Sequence, residues 1–330
     1  MKLFMHIGMG KTGTSSIQFA LSQNTAQLTS QQARYLGMWF EAIDPKYANH
    51  LGFREFCQLP EEALIASART FANHLTTLEK SEGVRTFLFS NEAMFGAGPH
   101  LKPFIAELAN HIDLALIAYV RNPYNWLPSA FTQWGLFHKQ QTGPLQPFRD
   151  RCHTLIGQYS ALPFWIDTFG DRLTVRRHDT TMDVVTDFAG ITGLALAAPD
   201  KRKLERPEPA EILLRAAFNN RFPQEVFPEK FSQSVLKRAS TPNLADIAAL
   251  CFQHDGIDEV IENRRDLFQT IHDKLGAEFD FLSQRDTAQA APDMDALQRR
   301  LIDYLVEITF QQAERITRLE SQIKTLIKDQ

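Results

Sequence analysis

The segment KLFMHIGMGKTGTSSIQ, Lys2 to Gln18, limits what this chain can become more than any other stretch. An apolar-leaning run of strand length enters a glycine-rich turn, and the turn opens into a helix pattern. A strand, a glycine-rich turn and a helix N-terminus in that order make an anion site, because backbone N–H groups point at the ligand and the helix dipole favours negative charge. Gly10 and Gly13 give the turn its backbone freedom, and Lys11 adds a full positive charge. Thr12, Thr14, Ser15 and Ser16 supply short hydroxyl donors at the helix start, where such residues also suit capping. The expectation is a phosphate cradle at the beginning of an α/β fold.

Two familiar patterns overlap in this loop, and each fits only in part. Gly8-Met9-Gly10-Lys11-Thr12-Gly13 matches the dinucleotide fingerprint G-x-G-x-x-G by letter, yet a dinucleotide loop has no use for a lysine in its middle. The acidic residue that should follow about twenty positions later is also missing, since Glu41 comes too late. Gly10-Lys11-Thr12 looks like the end of a Walker A loop, but the first glycine of that motif would fall on Met5, inside the strand.

A second stretch decides between them. Asp113 to Val120, DLALIAYV, reads as a strand buried on both faces, a continuous apolar run of strand length. It leads into Arg121-Asn122-Pro123 and then a helix pattern, with Pro123 suited to the first helical turn. Arg121 falls at the carboxyl end of the strand and Ser129 about two turns into the helix. Both can face a pocket at the sheet edge where α/β proteins bind ligands. An arginine and a hydroxyl there suit a phosphate distinct from the one at Lys11.

Together these segments resemble the sulfotransferase family that uses 3′-phosphoadenosine 5′-phosphosulfate (PAPS). The family's first signature, a strand followed by K-[ST]-G-T-[ST], binds the 5′-phosphosulfate; here it reads Lys11-Thr12-Gly13-Thr14-Ser15. The second, R-x-P with a serine eight residues after the arginine, binds the 3′-phosphate; here it is Arg121, Pro123 and Ser129. The wording H-I-G-x-x-K-T-G-T-S-S-I-Q is similar to bacterial members that resemble carbohydrate sulfotransferases. The resemblance spans roughly residues 1–195 and implies an acceptor hydroxyl, on a carbohydrate or another small hydroxylated molecule, and PAP as product. It implies in-line displacement at sulfur with no metal. No apolar strand here ends in the aspartate that holds Mg²⁺ in nucleoside triphosphatases.

Val84 to Ser90 reads as a further buried strand, and the resemblance implies a general base at its end, where Glu92 stands. The alternative for Glu92 is a carboxylate that orients Lys11 or caps a helix near Pro99. His50, in a loop with no assigned element, is the rival base. The basic motif that completes the 3′-phosphate site in cytosolic eukaryotic members has no match, and Arg176, Arg177, Lys201, Arg202, Lys203, Lys237 and Arg238 remain equal candidates to replace it.

Strand and helix patterns alternate: strands at 2–7, near 35–40, 84–90, 113–120 and 172–177, with helices at 14–29, 61–80, 101–111, 123–139, 152–168 and 182–189. Alternation of this kind predicts a parallel sheet covered on both faces by helices, with right-handed crossovers. The expected division is a sulfotransferase domain over 1–290, with its α/β core to about 195 and a helical extension after it, followed by a C-terminal amphipathic helix over 291–330. In that last segment Leu297, Leu301, Leu305 and Ile308, then Ile316, Leu319, Ile323 and Leu326, recur at steps of three and four, so the helix could pair with a second copy or pack on its own domain.

The net charge of −4 argues against a broad nucleic-acid or anionic-membrane surface. Cys57, Cys152 and Cys251 show no C-x-x-C spacing and are read as reduced thiols. No apolar run approaches a membrane span. With the anion-loop strand starting at Lys2, no leader is expected and the chain is read as cytoplasmic. The competing classes are a P-loop small-molecule kinase, which leaves Arg121 and Ser129 unexplained, and a non-catalytic scaffold of the same fold assembling through its C-terminal helix.

Overall fold

The computed structural model describes residues 1–179, 181–197, 208–228, 231, 244–283 and 292–328. Five parallel strands form one sheet in the order β2-β3-β1-β4-β5, with β1 at Lys2–Gly8, β2 at Ala33–Tyr35, β3 at Thr86–Ser90, β4 at Asp113–Arg121 and β5 at Leu173–His178. Helices alternate with them: α1 (Thr14–Gln23), α2 (Thr25–Ser30), α3 (His50–Cys57), α4 (Glu61–Glu82), α5 (Ala93–His111), α6 (Pro123–Phe131), α7 (Phe148–Leu155), α8 (Ala161–Phe169) and α9 (Val184–Thr192). The chain leaves central β1 toward β2 and β3 on one side and later fills β4 and β5 on the other. The carboxyl edge near β1 is therefore a topological switch point, where ligands bind in folds of this kind.

Alternation along β1 explains how one strand serves two helical layers. Phe4 packs with Ile17 and Leu21 of α1, Leu28 of α2 and Phe188 of α9. The opposite face carries an aromatic core in which Phe40 stacks on Phe89 at 4.9 Å and meets Phe71 of α4 and Phe104 of α5. Much of the chain's phenylalanine thus fills the core, each buried ring contributing about 1.5–3 kcal/mol.

Several element boundaries differ from the sequence expectation. The helix expected over 14–29 breaks at Asn24, whose side chain donates to the carbonyls of Ala20 and Ala197 and accepts from the Ala197 N–H. The strand expected near 35–40 ends at Tyr35, ahead of Gly37 with its φ of +86°. The helix expected over 101–111 starts at Ala93 with Pro99 and Pro103 inside it. Pro99 cannot donate to the Phe95 carbonyl, and the Trp165 indole N–H takes that acceptor at 2.9 Å. The helix expected over 123–139 ends at Phe131 and continues as a π-helical turn over Thr132–Phe137.

The chain forms two compact units. The first, residues 1–130, 152–205 and 256–288, holds the sheet together with helices Ile257–Glu262 and Arg265–Leu275. The second, residues 131–151, 206–255 and 289–330, carries helices among its described residues, together with a bridge between Lys139 and Val226. It includes α10 (Pro209–Asn219), helix Leu244–Phe252 and the C-terminal helix Met294–Lys328. Lys139 is buried there, with its ammonium on the carbonyls of Phe222 and Gln224, and burial lowers its pKa. Among the described residues no helix is long and apolar enough to cross a membrane.

Candidate active site

β1 delivers the loop Met9–Gly13 to the carboxyl edge of the sheet, and α1 begins at Thr14. Positive φ marks the last residue of β1, Gly8 at 109°, and two loop residues, Lys11 at 67° and Gly13 at 85°. For a side-chain-bearing residue such as Lys11 this conformation is strained.

The loop is braced from several directions. The Met9 N–H donates to the Tyr119 carbonyl of β4 at 2.8 Å, and the Met9 carbonyl accepts the Thr12 hydroxyl at 2.6 Å. The Trp126 indole N–H of α6 donates to the Gly10 carbonyl at 2.8 Å. Thr12 and Thr14 are buried, whereas Lys11, Gly13 and Ser15 are half-buried. The Thr12 proton is therefore committed to the loop's shape, while Lys11 and Ser15 stay half-buried beside it.

Glu92 lies two residues past the end of β3, just ahead of α5. The Gln18 amide of α1 donates both to the Glu92 carboxylate at 3.1 Å and to the Ser90 carbonyl at 3.0 Å. A Cβ built on Gly8 would stand 3.0 Å from the Cα and carbonyl oxygen of Glu92, so the end of β1 lies close against the Glu92 backbone. Glu92 makes no side-chain cap to α5; the side-chain oxygen Oδ1 of Asn91 accepts the Ala93 N–H at 2.9 Å instead. That removes the capping alternative for Glu92. The Tyr35 phenol, at the end of β2, has its pKa pushed well up by burial and then by the charges of Glu92 and Glu41.

Arg121 closes β4 and lies in register with His178 of β5. Its carbonyl accepts the buried Tyr159 hydroxyl at 2.5 Å. Asn122 caps α6, accepting the Tyr124 N–H at 3.0 Å, and Ser129 is half-buried one turn past Trp126. His178 has its pKa lowered to about 4, by burial first and by the adjacent Arg121 charge second. Arg176 pairs with Asp187, which also accepts the Tyr119 hydroxyl, and Arg177 donates to the Glu278 carbonyl. Lys201, Arg202, Lys203, Lys237 and Arg238 lie outside the described residues.

Read across the sheet, the carboxyl edge carries Tyr35, Glu92, Lys11, Arg121 and His178 on or just after β2, β3, β1, β4 and β5 in turn. His50 is exposed on the first turn of α3, and no described hydrogen bond or ion pair joins it to the loop, Glu92 or Arg121.

No protein-family model matches the chain, and no curated protein does. Among solved structures, the sulfotransferase domain from the curacin biosynthetic pathway aligns with 75% of this chain and 95% of its own length, at 11% identity and a TM-score of 0.31.

Sequence reasoning passed over four contributors. Gln18 and Trp126 sit in the two motif helices, and their spacing from Lys11 and Arg121 could have raised them. Tyr35 and His178 join the edge only through strand pairing, which a single sequence does not print.

Proposed function

We propose that this chain is a sulfotransferase that moves the sulfuryl group of PAPS to a hydroxyl of a small acceptor. On the family resemblance that acceptor is a carbohydrate. The observation that carries the reading is the juxtaposition at the switch point of a carboxylate, a lysine loop and an arginine on three adjacent strands, β3, β1 and β4. Lys11 and the loop amides suit the 5′-phosphosulfate. Arg121 suits a second anion one strand away, the feature that separates PAPS from ATP. Ser129 and His178 flank that position as further donors.

In this reading Glu92, steadied by Gln18, takes the acceptor hydroxyl proton as the acceptor oxygen bonds to sulfur. Lys11 stabilises the negative charge that collects on the bridging phosphate oxygen as its bond to sulfur breaks. The products are a sulfate ester and PAP, and the proton stays on Glu92. Loop amides, Thr14 and Ser15 hold the group in line, so positioning and charge stabilisation supply most of the acceleration.

Calorimetric titration with PAP, ATP plus Mg²⁺, and NAD tests the donor site. Metal-independent PAP binding with ATP and NAD much weaker is the expected result. Preference for ATP with Mg²⁺ assigns the chain to the kinases and overturns the role of Arg121. PAP binding without sulfation of any hydroxylated acceptor favours the scaffold.

A further inference from the structure

We propose that the C-terminal helix Met294–Lys328 pairs with the same helix of a second copy of this chain as a parallel two-stranded coiled coil. Among the described residues, the hydrogen bonds and ion pair that tie the helix to α10's start lie near its own beginning. Leu297 and Leu301 are buried, and Glu208, just ahead of α10, receives Arg300 at 2.7 and 3.1 Å and the Tyr304 hydroxyl at 2.9 Å.

Beyond that anchor an apolar stripe is left open. Ile302, Leu305, Ile316, Leu319 and Ile323 are between 48% and 60% exposed. They fall on one heptad register, with Ile302, Thr309, Ile316 and Ile323 at the a positions and Leu305, Gln312 and Leu319 at the d positions. Val306 at an e position widens the stripe, and exposed Phe310 lies off it. β-Branched residues at a with leucine at d are the packing choice of parallel dimers, and the polar layers of Thr309 and Gln312 hold the two copies in register.

Charge argues for the same occupant and the same orientation. Arg315 falls at g and Glu320 at the e position five residues on. In a parallel in-register pair, g of one helix faces that e of the other, so Arg315 meets Glu320 of the second copy, twice by symmetry. An antiparallel pair sets g against g and e against e, and Arg315 meets no carboxylate. This inference is independent of the chemistry proposed at the sheet edge.

The test is the mass of the full-length chain by light scattering and sedimentation over a range of concentrations. A dimer is expected. Arg315→Glu or Glu320→Arg alone should loosen it about tenfold, and the two swaps together should restore it. Leu319→Cys should yield a covalent dimer on mild oxidation where the wild-type chain does not. A monomer at every concentration, a trimer, a dimer indifferent to the swaps, or a dimer that Leu319→Cys fails to cross-link overturns the proposal. Because these side chains are exposed, circular dichroism should show every variant folded.

Discussion

Lys11 keeps a left-handed backbone while carrying a long side chain, and nothing in its length demands that conformation. Lys11→Ala removes the charge and leaves the loop's bracing by Tyr119, Thr12 and Trp126 in place. Sulfuryl transfer should fall by about 10²–10³-fold with the melting temperature little changed. Turnover near wild type would remove Lys11 from the charge-stabilising role. Glu92→Gln keeps the shape and loses the base, so kcat should drop by about 10²–10⁴-fold while PAP affinity holds. His50→Asn, at an exposed position outside the described hydrogen-bonded set, should change kcat by less than about threefold. The reverse ranking hands the base role to His50. Arg121→Ala should weaken PAP by about 10–100-fold and adenosine 5′-phosphosulfate hardly at all, since only PAP presents a 3′-phosphate. Equal losses for both nucleotides would sink the 3′-phosphate assignment.

At the scale of elements, the strand–loop–helix unit was legible because its chemistry is local: an apolar run, glycines and a lysine adjacent in sequence. The second motif was legible for the same reason, with Arg121, Pro123 and Ser129 within one strand end and one helix. What was not legible depends on neighbours far along the chain. The early start of α5 needs Trp165 to satisfy the Phe95 carbonyl, and the break at Asn24 needs the backbone of Ala197. His178 reaches Arg121 only through β4–β5 register. The contact between Gly8 and Glu92 is a link of the same kind, and it yields a prediction about geometry rather than charge. Alanine at position 8 would carry a Cβ 3.0 Å from the backbone of Glu92 at a φ that side chains avoid. Gly8→Ala should cost about 1–3 kcal/mol in chemical unfolding. It should also lower kcat more than it weakens PAP, because the base moves and the loop lysine does not. Unchanged stability and kcat would show that the two segments do not touch as described.

For the molecule as a whole, the proposed anion site rests on a strand with a buried, neutral histidine, and that ties its survival to pH. His6 lies in the middle of the sheet with Nδ1 on the Ser90 hydroxyl at 2.8 Å and its ring edge-on to Tyr119. Burial lowers its pKa from 6.5 to about 3. Below pH 6.5 the unfolded chain therefore takes up a proton that the folded chain refuses, and stability must rise with pH across that interval. The contribution is fully present above pH 6.5 and is lost as pH falls toward 3. His178, lowered to about 4, acts in the same direction. Between about pH 7.5 and pH 5, above the range where most carboxylates titrate, His6 alone should remove about 2 kcal/mol. Denaturant melts across that window should show the loss in the wild-type chain and roughly half of the slope in His6→Asn, which keeps a polar partner for Ser90 but cannot titrate. A pH-independent wild type, or an identical slope in the variant, would mean that His6 is protonated in the folded state.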